Sequence, residues 1–252
     1  MATIQKIPVT DPYWDVKVDL AAAFQMAAKL GYNEAVANHF SVTTSDDGKQ
    51  FLMNPNQRHF SLIKASDIIH LDADDPNTMS KPGAPDATAW GLHGSVHRHV
   101  RHARCLMHVH STYATVLACL VDPHLPPLDQ NSAMFFERTA IDQDYGGLAL
   151  EEEGTRCARL LGDPKVKVLI MGNHGILVLG DTVADTFNRL YYFERAAQTY
   201  IEALKTGQSL NVLSDEIARK TADQLDDYDD QADKHFSDLK EILDREGSNF
   251  RE

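Results

Sequence analysis

The chain has 252 residues, 43% hydrophobic and 24% charged, with a formal net charge of −13. That length buries a substantial core as one large domain, and the composition is that of a soluble globular protein. The negative charge argues against nonspecific binding to phosphate backbones, and Arg98, Arg101 and Arg104 make too short a basic cluster to reverse it, so nucleic acid is not an expected partner.

No run approaches the roughly 18–20 apolar residues of a bilayer span, and the N-terminus has no apolar leader segment, so the expectation is a cytoplasmic protein without membrane contact. Cys105, Cys119 and Cys157 are odd in number and lie in apolar or helical surroundings, which fits reduced structural thiols.

Along the chain, residues 1–10 read as a loose arm. Val16 to Leu30 carries apolar residues and alanines at helical spacing and stops before Gly31. Phe40 to Pro55 reads as two short strands joined at Ser45-Asp46-Asp47-Gly48, a hairpin signal. A turn around Lys64 to Asp67 precedes a strand at Ile68 to Leu71, and the Asp-, Pro- and Gly-rich stretch from Asp72 to Asp86 reads as solvated loop.

Thr88 to Val100 has helical periodicity and sets His93 and His97 at i and i+4 on one side. A strand through Cys105 to Val109 and a helix from Ser111 to Leu120 follow, and prolines between Val121 and Gln130 make the next crossing irregular. Helices are expected near Asn131 and over Glu151 to Leu161, the latter closed by Gly162-Asp163-Pro164. Val166 to Met171 and Ile176 to Leu179 are apolar strands joined through Asn173-His174-Gly175.

Thr182 to Thr206 is the most periodic helix, with a cap at Asp181 or Thr182, and the acidic tail from Leu213 reads as helical with a solvated face. This grouping favours a central sheet flanked by helices over a pure βαβ succession. The expected divisions are an arm over 1–15, a main domain over 16–210, and a helical extension over 211–252 packed on that domain or on a neighbouring subunit.

Histidines carry the chemistry. His108 and His110 stand two apart at a strand end, so their side chains share a face, and His174 sits in a glycine-bounded turn where Gly172 and Gly175 permit close backbone approach. Three imidazoles of this kind suit a first-row divalent ion with an open position, and spacing alone does not choose among zinc, iron, manganese and cobalt. The plainer alternative is a polar strand edge bonded to backbone.

The segments Cys105-Leu106-Met107-His108-Val109-His110-Ser111 and Leu169-Ile170-Met171-Gly172-Asn173-His174-Gly175 resemble the two metal motifs of the class II aldolase and adducin-head family. The likeness runs from about Ala21 to Leu204 and includes Asn38-His39-Phe40-Ser41-Val42, Phe51-Leu52-Met53-Asn54-Pro55, Leu92-His93 and the helix from Asp185 to Arg195. It implies a three-layer αβα sandwich around a predominantly antiparallel sheet, and a homotetramer with sites near subunit contacts. It also implies that His108, His110 and His174 bind a divalent ion, with zinc the first choice, which polarises a hydroxy-carbonyl substrate and stabilises an enediolate.

The chain departs from the family pattern at Ala89, where the aldolases carry an acidic residue that moves protons, and so sits nearer the adducin-like bacterial members lacking it. Asp86 is three residues away, and the helix or loop would have to distort for it to substitute. Only fragments of a sugar-phosphate pocket are recognisable, in Asn54-Pro55-Asn56-Gln57 and Ala87-Thr88, and His39 stands where an asparagine is usual. A non-phosphorylated hydroxy-carbonyl or carboxylate compound is therefore the expected substrate, with Arg58 or Arg98 available to an anionic group.

His93 is expected in or beside the substrate pocket, and Tyr145, in Tyr145-Gly146-Gly147, is the other candidate catalytic group. Trp90 is expected to reshape the space that the acid leaves. The combined reading is a metal-dependent lyase-like enzyme performing retro-aldol cleavage or decarboxylation. A nonenzymatic adducin-like scaffold retaining a structural metal is the runner-up, and an iron-dependent oxygenase a third reading.

Overall fold

The computed structural model describes residues 11–148, 151–228 and 230–252. Its strands are β1 (His39–Thr43), β2 (Gln50–Met53), β3 (Ile69–Asp72), β4 (Cys105–Val109), β5 (Thr139–Asp142), β6 (Val168–Met171) and β7 (Gly175–Gly180). They form one sheet in the order β3-β2-β1-β4-β7-β6-β5, antiparallel throughout except for the parallel pair β5 and β6. The helices are α1 (Trp14–Leu30), α2 (Ala87–Ala89), α3 (Ser95–His99), α4 (Thr112–Ala118), α5 (Gln130–Ala133), α6 (Glu151–Leu160), α7 (Val183–Lys205), α8 (Asp215–Asp226) and α9 (Gln231–Arg245).

Strand alternation sorts the side chains into two packed faces. Cys105, Met107 and Val109 of β4, with Ile176 and Val178 of β7, join α1, α4, α7 and α9 in the larger core. Leu106, Leu177 and Leu179 face the other way and pack with Leu92, Val96, Cys157 and Leu161 of the opposite helical layer. The result is a helix-sheet-helix sandwich with the sheet buried on both faces. α1 begins at Trp14, just inside the stretch assigned to the arm, and ends where Gly31 adopts φ 72° and donates to the Ala27 and Ala28 carbonyls. Residues 1–10 of the expected arm lie outside the described residues.

Sequence reading missed β5. It has only four residues, Thr-Ala-Ile-Asp, with no alternation of apolar and polar positions, and it pairs as the edge strand beside β6, with Ile141 opposite Ile170. The helix expected over Thr88 to Val100 is interrupted by a π-helical turn at Trp90–Gly94, which joins α2 to α3. Gly154 lets α6 come against this turn: a Cβ there would meet the Gly91 carbonyl oxygen at 2.0 Å.

All three cysteines are free, and burial pushes the thiols of Cys105 and Cys157 up to about 12. Among the described residues no helix is long and apolar enough to cross a membrane. Beyond α7, α9 packs on α7 and α1, and Phe250 is fully buried while its carbonyl accepts from the Ala65 N–H.

Candidate metal centre

His108 lies near the end of β4, in register with His39 of β1 and Leu177 of β7, on the face turned to α3 and α6. His110 follows at the corner into α4. That corner is held from below by Glu194 of α7, a buried carboxylate that accepts from Ser111 Oγ at 2.7 Å, Tyr113 N at 2.8 Å and Ala114 N at 2.9 Å. The first turn of α4 thus finds an acceptor for its free N–H groups in another helix instead of in its own cap residue.

His174 comes from the turn between β6 and β7. Asn173 takes the left-handed conformation there, with φ 57°, while Gly172 and Gly175 serve close approach. A Cβ on Gly172 would lie 2.9 Å from the Asp142 carbonyl oxygen, and one on Gly175 would lie 2.5 Å from the Val109 oxygen and 2.8 Å from His110 Cδ2.

One nitrogen from each of His108, His110 and His174 lies within 4.8 Å of the others. Hydrogen bonding assigns the tautomers of the first two. His108 Nδ1 sits 3.0 Å from the Ile176 carbonyl oxygen, and His110 Nδ1 contacts Glu34 Oε2. Both acceptors lack protons, so each Nδ1 must donate and each Nε2 must carry a lone pair.

Those two Nε2 atoms are 3.0 Å apart, with lone pair facing lone pair. Such a contact is repulsive unless a cation lies between the donors. A proton fills that role poorly, because burial holds His108 well below its ordinary value and also lowers His110, against the opposing pull of Glu34. A divalent ion fits this donor set, and His174 is near enough to offer a third nitrogen.

The cavity beside the three rings holds about 130 Å³ and is bounded in part by His39, Thr88, Leu92, Tyr145 and Leu148. Tyr145 is half exposed, its ring centroid 6.0 Å from that of His174. His93 lies beside the pocket, behind His39. It is fully buried, does not line the cavity, and has both nitrogens engaged: Nε2 with His39 Nδ1 at 2.8 Å and Nδ1 with Ser41 Oγ at 2.6 Å.

Ser41 Oγ also contacts His97 Nε2 at 2.6 Å, so His39, His93, Ser41 and His97 form one buried polar chain that reaches the pocket only through His39. His39 stacks on His108 with centroids 4.8 Å apart. Burial lowers His39 and His97 to about 3, keeping the chain neutral.

Ala89 does not line the pocket. The Ala89 methyl packs with Phe51, Met53 and Ala73, and the residue of that turn lining the pocket is Thr88. Asp86 does not replace the acid, since its Oδ1 caps α2 by accepting from Thr88 N at 2.9 Å, Thr88 Oγ1 at 2.6 Å and Ala89 N. Partial burial raises the Asp86 pKa, but these hydrogen bonds outweigh it and hold the carboxyl below its usual range.

Trp90 stacks on Phe51 and lines a separate cavity of about 600 Å³ with Met79, Asp75 and Arg98, so it shapes that space and not the histidine pocket. Arg98 is bonded to the Ala73 carbonyl there, and Arg58 lies by Asp67, so neither reaches the three histidines.

Several participants escaped sequence reading. Glu34 stands behind the site from a distant position that no local pattern marks, whereas Glu153 lies in the Glu151-Glu152-Glu153 run, which reads as a source of an acid or as carboxylates favoured by a helix start, and Glu194 lies in the long periodic helix. His39 and Ser41 had a signal, since their spacing puts both on one face of β1.

The family described as Class II Aldolase and Adducin N-terminal domain matches residues 18–201. The chain is 32% identical to the Meiotically up-regulated gene 14 protein of Schizosaccharomyces pombe, over 77% of this chain and 76% of that protein. It is 27% identical to the 4-hydroxy-3-prenylphenylpyruvate oxygenase/4-hydroxy-3-prenylbenzoate synthase of Streptomyces roseochromogenus, covering 86% and 79%. It is 26% identical to Decarboxylase NovR of Streptomyces niveus, covering 86% and 82%. Among solved structures, an aldolase II superfamily protein from Pseudomonas syringae superposes with a TM-score of 0.85 at 27% identity, over 97% of this chain and 98% of that one.

Proposed function

We propose that this chain, which belongs to the class II aldolase and adducin N-terminal domain family, is a metal-dependent lyase-like enzyme. Its reaction is cleavage of a carbon–carbon bond, by retro-aldol reaction or decarboxylation, in a small hydroxy-carbonyl or carboxylate compound. The observation that carries this reading is the opposed Nε2 pair of His108 and His110 with His174 beside it. A relative named as a decarboxylase supports it.

His108, His110 and His174 would hold the ion, zinc by first choice, with manganese, iron or cobalt accepting the same donors. When bound, such an ion supplies Lewis acidity toward the oxygens of a carbonyl or carboxylate.

The chain's own groups do the rest. His39 and Thr88 orient the substrate at the inner wall. With no acid at Ala89, the proton for the nascent carbanion comes from the Tyr145 hydroxyl or from water at the half-open mouth. His93 holds the His39 ring edge-on and touches no substrate. The small cavity, with no arginine among its described lining residues, favours a compact substrate without phosphate.

Residues 16–210 constitute the catalytic unit in this reading, with 211–252 as an extension, and the protein is a homotetramer. Leu148 and Tyr145 at the pocket mouth, 82% and 50% exposed, are apolar surface that a second copy would cover. Light scattering of the eluted protein tests that state.

A second reading, an iron-dependent oxygenase, is favoured by one observation, the relative whose name couples an oxygenase to a benzoate synthase. The test is a panel of hydroxy and oxo acids followed by carbon-13 NMR alongside an oxygen electrode. The lyase reading expects metal-dependent release of aldehyde or carbon dioxide without oxygen uptake. Stoichiometric oxygen uptake would replace it with the oxygenase, and bound metal without turnover with a scaffold.

A further inference from the structure

The three candidate ligands are neutral imidazoles, so the donor set brings no charge to balance a divalent ion in a pocket whose inner wall, at His39, His108 and Leu92, is buried. Each ring has a different group behind it. His108 is backed by the Ile176 carbonyl, His110 by Glu34, and His174 by Glu153, whose Oε1 lies 3.3 Å from His174 Nδ1. That separation allows a charge interaction, although its geometry falls short of a hydrogen bond, and His174 Nδ1 is buried without a hydrogen-bond partner among the described residues.

The two carboxylates differ in setting. The Glu34 side chain is 63% exposed, so water and salt screen its charge, whereas Glu153 is 6% exposed. Burying a carboxylate is costly unless a partner offsets the lost hydration. Arg156, on the same helix, gives its Nε hydrogen to the two Asp142 oxygens, at 2.9 and 3.0 Å, and acts on Glu153 only through space, with no hydrogen bond to it among the described residues. Glu153 is held in this position because α6 presses against the π-helical turn at Gly154, where any side chain would collide with Gly91.

We propose that Glu153 is a positioning residue that fixes the His174 ring and supplies, through it, the negative charge the three-imidazole site lacks. This rests on the metal reading above. A carboxylate facing Nδ1–H directs the lone pair to Nε2 and makes that nitrogen a stronger donor. Because the charge stands behind the ligand and not on the ion, it consumes none of the open positions.

The test is zinc affinity, measured by chelator competition on tag-free protein, for wild type, Glu153→Gln, Glu153→Asp, Glu34→Gln and His174→Ala. Glu153→Gln keeps the shape of the side chain and removes its charge, and it is expected to weaken zinc binding roughly 10–100-fold. Glu34→Gln should weaken it less than Glu153→Gln does, since water and salt screen the Glu34 charge. Glu153→Asp, charged but shorter, should fall between Glu153→Gln and wild type, and it serves if the Gln variant does not fold.

Zinc binding by Glu153→Gln as tight as wild type, with His174→Ala weakened, overturns the role of Glu153 and leaves the metal site standing. No zinc binding by wild type overturns both.

Discussion

The Nε2 atoms of His108 and His110 face each other at 3.0 Å while each Nδ1 is turned to an acceptor, Ile176 O for one and Glu34 for the other. This opposition is relieved by an ion, so the fold should be more stable with one bound. At a free zinc concentration 100 times the Kd, stabilisation should reach about 2.7 kcal/mol and appear as a rise in Tm. His110→Ala should show no zinc-dependent rise.

Gly175→Ala places a methyl 2.5 Å from the Val109 carbonyl oxygen, where backbone cannot yield without moving β4 or the His174 turn. The expected cost is about 1–3 kcal/mol, with weakened zinc binding because the methyl also meets His110. Gly162→Ala, whose nearest contact is Arg159 O at 3.4 Å, is the control and should leave zinc binding unchanged. Denaturant unfolding and chelator competition on both variants check this.

Glu194 satisfies three donors at the start of α4 from the buried face of α7. Glu194→Ala strands those groups and should cost about 2–4 kcal/mol, read from urea unfolding. Since the same corner carries His110, metal affinity should fall with stability.

His97 is buried and neutral, with its pKa lowered to about 3, principally by burial. The unfolded chain takes up a proton near pH 6.5 that the folded chain refuses until much lower pH. This contribution to stability is complete above about pH 6.5 and is lost as pH falls toward 3, at up to about 1.4 kcal/mol per pH unit. Urea unfolding between pH 4.5 and 6.5 should therefore show a shallower pH slope in His97→Gln than in wild type.

Tyr145→Phe removes one hydroxyl from the rim of the pocket. Once a substrate is found, turnover should drop roughly 10²–10⁴-fold with bound metal and Tm unchanged. Equal turnover would assign the proton to water.

The main elements were legible because their cues are local: helical periodicity up to Gly31, the hairpin turn at Ser45 to Gly48, and the apolar runs of β4, β6 and β7. β5 was not, because four edge residues, Thr-Ala-Ile-Asp, are too few and carry no alternation, and the π-helical turn was not, because its widened hydrogen bonding leaves no mark in periodicity. At the site, the convergence of His108, His110 and His174 followed from strand parity and a glycine-bounded turn. The partners of His93, His39 and Ser41, did not follow, because they depend on what β1 supplies across the sheet. Nor did the carboxylates behind the ligands, since Glu34, Glu153 and Glu194 meet the histidine region only through tertiary packing.

The central claim is that these three histidines hold an ion, and metal content per subunit, measured by elemental mass spectrometry on tag-free protein purified without added metal, tests it most directly. The account predicts near-stoichiometric divalent metal in the wild type and its loss in His108→Ala. Equally little metal in both would contradict it.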